Sequence, residues 1–149
     1  MYSVFLVIHS YLRWITIAAG VGATAAATGT SPGAPRSQKT GLLFIIAMDL
    51  QLLIGLLLYA FLSPNTAAIF QNFDAAMRDP IARFWAVEHI TTMLIAVALA
   101  HVGRVLARKA KTPGAKRTRL LVCFGIATVA MFLGTPWPGT AAGRPWFRL

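Results

Sequence analysis

Two histidines, His9 and His89, lie about two turns inside long apolar segments. An imidazole in hydrocarbon needs a hydrogen-bond partner or a metal to offset its lost hydration. The centre of the first segment falls near Trp14 and that of the third near Leu94, so each histidine stands five residues outward of centre. At ~1.5 Å per residue both lie roughly 7–8 Å above the midplane, provided the segments enter from the same side. First and third helices are diagonal partners in an up-down four-helix bundle. Two neutral imidazoles so placed approach a shared iron from opposite faces, as a bis-histidine haem requires. A lone histidine would more simply be hydrogen-bonded across helices. The matched pair points instead to one non-covalent haem b with His9 and His89 as the metal ligands. A zinc or copper site with Glu88 as third ligand competes with this reading, but Glu88 points about a quarter-turn aside from His89.

His9, Arg13, Thr16 and Gly20 follow at spacings of four, three and four, on one helical face. On the third segment Thr92, Met93, Ala96 and Ala100 continue the face of His89. Small residues there serve plain helix packing or the close approach of a flat cofactor, which makes Gly20 and Ala96 candidate cofactor contacts. Arg13, a turn deeper than His9, has three readings: raising the haem potential by its charge, meeting a quinone carbonyl, or pairing with Asp49. Asp49 stands about a third of the way across the second segment, where a carboxylate must be paired, protonated or facing a polar cavity. Gln51 is two residues on and faces elsewhere, so the two do not share a pocket. Arg83, Arg144 and Arg148 are placed at the outer edge, where haem propionates would point. His101 lies twelve residues beyond His89, near the opposite surface. A second haem would need a histidine near Val21 to Ala23, and none is there. His101 is therefore read as structural or interfacial unless a partner subunit supplies the other ligand.

The elements that must position these residues are apolar helices. Of 149 residues, 57% are hydrophobic and 12% charged, which excludes an ordinary soluble domain. The pattern predicts an all-α, integral membrane four-helix up-down bundle forming one transmembrane domain over 1–149, with helices about 4–28, 42–62, 80–106 and 119–136. The first three are long enough to span a ~30 Å hydrocarbon layer and the fourth is barely so. The net charge of +10 is not a nucleic-acid surface, because its placement follows the positive-inside rule. Arg104, Arg108, Lys109, Lys111, Lys116, Arg117 and Arg119 flank the connection between segments three and four. Arg36 and Lys39 serve the one between segments one and two. Both termini are therefore expected outside.

The breaker run Gly29-Thr-Ser-Pro-Gly-Ala-Pro ends the first helix. The external connection after Ser63-Pro64 mixes Ala67, Ile69, Phe70, Phe73 and Met77 with polar residues, as a short amphipathic helix roofing the bundle would. Asp79-Pro80 supplies an N-cap and a first-turn proline for the third helix. The fourth ends at Gly134-Thr135-Pro136, and its Trp–Arg tail fits the outer interfacial belt, a cap on the bundle or a docking feature. The single Cys123 excludes a disulfide framework and covalent haem attachment. The N-terminal stretch reads as a retained helix rather than a cleaved signal. No nucleophile with an adjacent base and no phosphate-binding loop is present, so hydrolase or transferase activity is not expected.

The pattern His9-Ser-x-Leu12-Arg13-Trp14, Leu50-Gln-Leu-Leu-Ile-Gly-Leu56, Arg83-Phe84-x-x-Val87-Glu88-His89 and Pro136-Trp-Pro138 resembles a group of small bacterial four-helix membrane proteins classed as cytochrome b-like. The resemblance covers most of the chain. It implies haem binding in a bacterial inner membrane, with N- and C-termini periplasmic. Larger di-haem bacterial cytochromes b share the four-helix core and use two histidine pairs, whereas this sequence has only the outer one. The expectation is a monohaem electron carrier exchanging electrons with quinol or a periplasmic carrier near the outer face, alone, as a homo-oligomer or in a larger membrane complex. The alternative is a haem-free structural or assembly subunit.

Overall fold

A computed structural model of the chain describes residues 1–29 and 35–147. The helices run in the order α1 (Tyr2–Thr28), α2 (Pro35–Leu57), α3 (Pro64–Gln71), α4 (Phe73–Arg78), α5 (Pro80–Arg83), α6 (His89–Arg108) and α7 (Pro113–Leu133). Two wide π-turns, Leu58–Leu62 and Phe84–Glu88, extend α2 and join α5 to α6. Part of the breaker run after Gly29, residues 30–34, lies outside the described residues.

Three local signals set the helix starts. Ser63, Asp79 and Thr112 each accept a hydrogen bond from the backbone N–H three residues on, and each precedes a proline at the first helical position. The expected N-cap at Asp79 is therefore present. The roofing segment forms as two short helices rather than one, because Asn72 breaks α3 and caps α4 through its side chain. The third helical stretch starts at Pro80 and reaches Arg108, two residues past the expected end. The fourth starts at Pro113, six residues before the expected 119, because Thr112-Pro113 nucleates it ahead of the apolar run. It ends at Leu133 rather than 136. The second likewise begins at Pro35, well before residue 42.

Among the described residues, three helical stretches are long and apolar enough to cross a membrane: Tyr2–Thr28, Ser37–Leu62 and Pro80–Arg108. Only 17%, 33% and 22% of their most apolar windows are buried within the chain, so most of the apolar surface points outward. A soluble bundle would hide that surface, whereas in lipid it needs no cover. The α7 helix carries Lys116, Arg117 and Arg119 in its first two turns, and its apolar part begins at Leu120. That part is shorter than a ~30 Å layer needs.

The four long helices pack in a ring: α1 lies on α2 and α7, and α6 lies on α7 and α2. The α1 and α6 helices thus stand across from each other, and α2–α6 is the sparsest of the four contacts. The core is made of small residues and two rings. Ala27, Ala96, Ala100 and Ala127 are fully buried, and Phe44 meets Phe124 edge-on at 5.3 Å. Thr16, 1% exposed, returns its hydroxyl to Leu12 O at 2.8 Å and reaches Ala47 O at 3.3 Å across the α1–α2 contact.

The expected Arg13–Asp49 pair is not formed. Asp49 lies on the α6 side of α2, and its Oδ1 is 2.8 Å from His101 Nε2, with both side chains 48% exposed. Arg13 instead donates to Trp146 O at 2.9 Å and stacks its guanidinium over Trp14. Because Asp49 and His101 satisfy each other on an outward face, Asp49→Ala is expected to cost about 0.6–1.7 kcal/mol, the range for polar contacts between membrane helices. Unfolding titration in mixed micelles reads this, and a matching loss in His101→Ala with no further loss in the double variant confirms the coupling.

Candidate functional site

At the end of the ring opposite the basic connections, α7 stops at the level of His89 and the chain continues as an irregular tail. Unpaired backbone at membrane depth is tolerated only where side chains or neighbours satisfy it. Here Arg13 and Trp14 both donate to Trp146 O, at 2.9 and 3.1 Å, and Trp137 Nε1 donates to Phe132 O at 2.7 Å. Trp14, Trp137 and Trp146 form one ring cluster, with centroids 5.4–5.9 Å apart. The tail is thus a cap on the bundle.

Beneath this cap the two histidines face one another. Their ring centroids are 6.5 Å apart and their planes 75° to each other. A metal held midway, about 2 Å from each imidazole nitrogen, sets the centroids roughly 6–6.5 Å apart, and the planes are free to turn about the shared axis. His89 Nδ1 lies 2.8 Å from Gly134 O. A carbonyl only accepts, so Nδ1 carries the proton and Nε2 presents a lone pair, the state a ligand needs. The Phe84–Glu88 π-turn immediately precedes His89 and resets its angle on α6 by adding a residue to one turn. Tyr59, in the facing π-turn, donates to Ala86 O at 2.5 Å and ties the two irregular turns together.

His9 is held from α2. Gln51 Nε2 donates to His9 O at 3.1 Å and lies 3.3 Å from His9 Nε2. His9 Nδ1, Gln51 Oε1 and Trp85 Nε1 are buried with no hydrogen-bond partner among the described residues. Native interiors rarely leave three such atoms in one place, and an absent ligand is a standard reason. The histidines line a cavity of about 160 Å³ together with Arg13, Gln51, Gly55, Tyr59 and Arg144. Close-packed interiors hold few voids larger than a water, so a space of this size beside two imidazoles is a candidate ligand site. The cavity is lined from α1, α2, α6 and the α7 end. A Cβ on Gly55 would lie 3.0 Å from His9 Cε1. Gly55→Val is therefore expected to displace the His9 ring and weaken ligand retention about 10–100-fold, the scale on which supporting residues act at metal sites. Titration of apo protein with haemin reads this.

Of the other sequence candidates, Arg13 lines the cavity beside His9, and Arg144 lines it with its guanidinium 4.8 Å over Trp85. Arg83 does not line it: its Nε bonds Glu88 Oε1 at 2.7 Å on an exposed face. The same pair turns Glu88 away, so no third ligand stands beside the histidines. Among the described residues no group of three or more metal-ligating side chains exists. Gly20 and Ala96 are not cavity residues. Gly20 packs where a Cβ would strike Thr128 Oγ1 at 2.5 Å and Phe44 at 2.9 Å, and Ala96 is fully buried in the core. Both are turned to the packed core rather than to the cavity, which Val97, next to Ala96, does line. Arg148 lies outside the described residues. The supporting residues Gln51, Gly55 and Tyr59 were not singled out as site residues by sequence, although Gln51 and Gly55, four apart, share one face of α2 and Tyr59 follows in the π-turn that extends it.

The fold and site define a helical protein with three stretches long and apolar enough to cross a membrane and a cavity lined by two facing histidines. No known family model matches the chain, and no curated protein or solved structure is detectably similar to it.

Proposed function

We propose that the protein is a monohaem b-type membrane cytochrome, carrying one haem between His9 and His89. The observation that carries this reading is the 6.5 Å separation of the two imidazoles, with His89 oriented by the Gly134 carbonyl. Haem held by two histidines supplies one-electron transfer and leaves no open iron position for oxygen chemistry. The chain's own residues hold and shape the site. Gln51 fixes His9, Gly55 leaves room for its ring, and the tail excludes water from one end. Arg144 supplies a cation for a propionate, and Arg13 places positive charge beside His9, which favours the reduced state.

The reading includes four membrane helices with both termini periplasmic, in a bacterial inner membrane. The clustering of basic residues at one end supports that orientation. Electrons are exchanged with a quinol or a periplasmic carrier near the outer face. Haem extracted from protein purified in detergent tests the proposal: one b-type haem per chain is expected, and two, or a covalently retained haem, contradicts it.

A second reading, a haem-free structural subunit of a larger membrane complex, is favoured by a different observation. The half-exposed Asp49–His101 pair faces away from the bundle at membrane depth, where a partner helix would cover it better than lipid does. A haem-free preparation from haem-replete cells favours this reading over the first.

A further inference from the structure

A second cavity, of about 120 Å³, opens at the basic end between the start of α2, the end of α6 and the start of α7. Its floor is apolar, with Ala107, Leu120 and Phe124 all buried. Its walls are cationic: Arg104 and Arg108, one turn apart on α6, and Lys116 on α7. Like charges at this spacing repel, so the arrangement lacks a counter-charge. The whole chain has four carboxylates, Asp49, Asp74, Asp79 and Glu88. Asp74 and Asp79 lie on the external connection, Glu88 is bonded to Arg83, and Asp49 to His101. Among the described residues none forms an ion pair with Arg104, Arg108 or Lys116.

Ser37, 8% exposed, also lines the cavity and brings a hydroxyl to it. Gly41 lies against the floor, where a Cβ would come 3.1 Å from the Phe124 ring and 3.9 Å from Arg104 Nη1. Ser37 stands in the first turn of α2 and Lys116 in that of α7, where the helix dipole favours an anion.

We infer that this cavity binds a phosphate-bearing anion, through Arg104, Arg108, Lys116 and the Ser37 hydroxyl. Its place at the basic end of membrane-length helices, with an apolar floor beneath the cations, favours the headgroup of an anionic phospholipid over free phosphate. The cations would then meet the phosphate while the acyl chains run down the exposed apolar face of α2 or α6. The inference does not depend on haem binding.

Binding of short-chain phosphatidylglycerol, phosphatidylcholine and inorganic phosphate to the delipidated full chain in neutral detergent tests this, by titration calorimetry and by native mass spectrometry. Phosphatidylglycerol is expected to bind at one site per chain, with the Arg104→Gln/Arg108→Gln double variant weakened about tenfold or more, the scale of losing charge-assisted hydrogen bonds. Lys109→Gln/Lys111→Gln removes the same charge outside the cavity and is expected to bind as the parent does. Should the arginine variant misfold, Ser37→Ala, which changes no charge, is expected to weaken binding about threefold or more. Binding of inorganic phosphate with the same Arg104 dependence supports the anion site and assigns it to the free ion. Equal weakening by both double variants shows only diffuse surface charge and overturns the inference, as does equal affinity for phosphatidylcholine or no binding of either phosphate probe.

Discussion

On the proposed haem assignment, replacing His9 or His89 by alanine is expected to abolish the b-type absorption bands, whereas His101→Ala leaves them in place. The asymmetry follows from geometry. His9 and His89 face one another at 6.5 Å within one cavity, while His101 is bonded to Asp49 on an outward face, three turns further along α6. Removing either member of the facing pair would take away one of the two proposed ligands, so haem retention in detergent should fall by more than the roughly 10–100-fold of a lost supporting residue. Helical circular dichroism should remain at the parental level in all three variants, because neither facing histidine belongs to the buried alanine and phenylalanine core. Equal loss of the bands from all three variants contradicts the assignment.

The largest effect on stability is expected at Gly103. It is buried where α6 crosses α7, and a Cβ there would overlap Cys123 Cβ, an atom fixed by its own backbone. Neither side can rotate away, so Gly103→Ala must part the two helices. Overpacking of this kind costs about 1–3 kcal/mol and here belongs at the upper end, despite the better helix propensity of alanine. Gly22→Ala is the control, since nothing lies within 4 Å of the added methyl. It should be neutral or stabilising by up to about 1 kcal/mol. Denaturant titration in mixed micelles measures both, and similar midpoints for the two variants contradict the close α6–α7 packing.

Much of this architecture is legible in the sequence because apolar length and cation placement are one-dimensional signals. The facing of His9 and His89 could be counted at a fixed rise per residue. Lateral neighbours could not be. The Asp49–His101 contact depends on which flank of α2 meets α6, and depth alone suggested Arg13 for Asp49. The early start of α7 was present in Thr112-Pro113, a capping signal outweighed by the hydropathy of the apolar run beyond it. Gly20 and Ala96 have the composition of cofactor contacts and of tight helix crossings alike, and only the closeness of Phe44 and Thr128 to Gly20 and the full burial of Ala96 in the core separate the two. The π-turns at 58–62 and 84–88 left no pattern in residue type, since one inserted residue changes the angle of the downstream helix and not its hydropathy. Gln51 and Gly55 were visible as polar and small interruptions of an aliphatic helix. Their meaning came from the His9 ring lying against them.

The most direct test of the central claim is a reduced-minus-oxidised optical spectrum of the full chain, expressed with ample haem supply and purified in mild detergent. Paired-histidine ligation by His9 and His89 predicts sharp α and Soret bands of a low-spin b-type haem, unchanged by carbon monoxide because both axial positions are taken. A flat difference spectrum, or a high-spin haem that binds carbon monoxide readily, contradicts it.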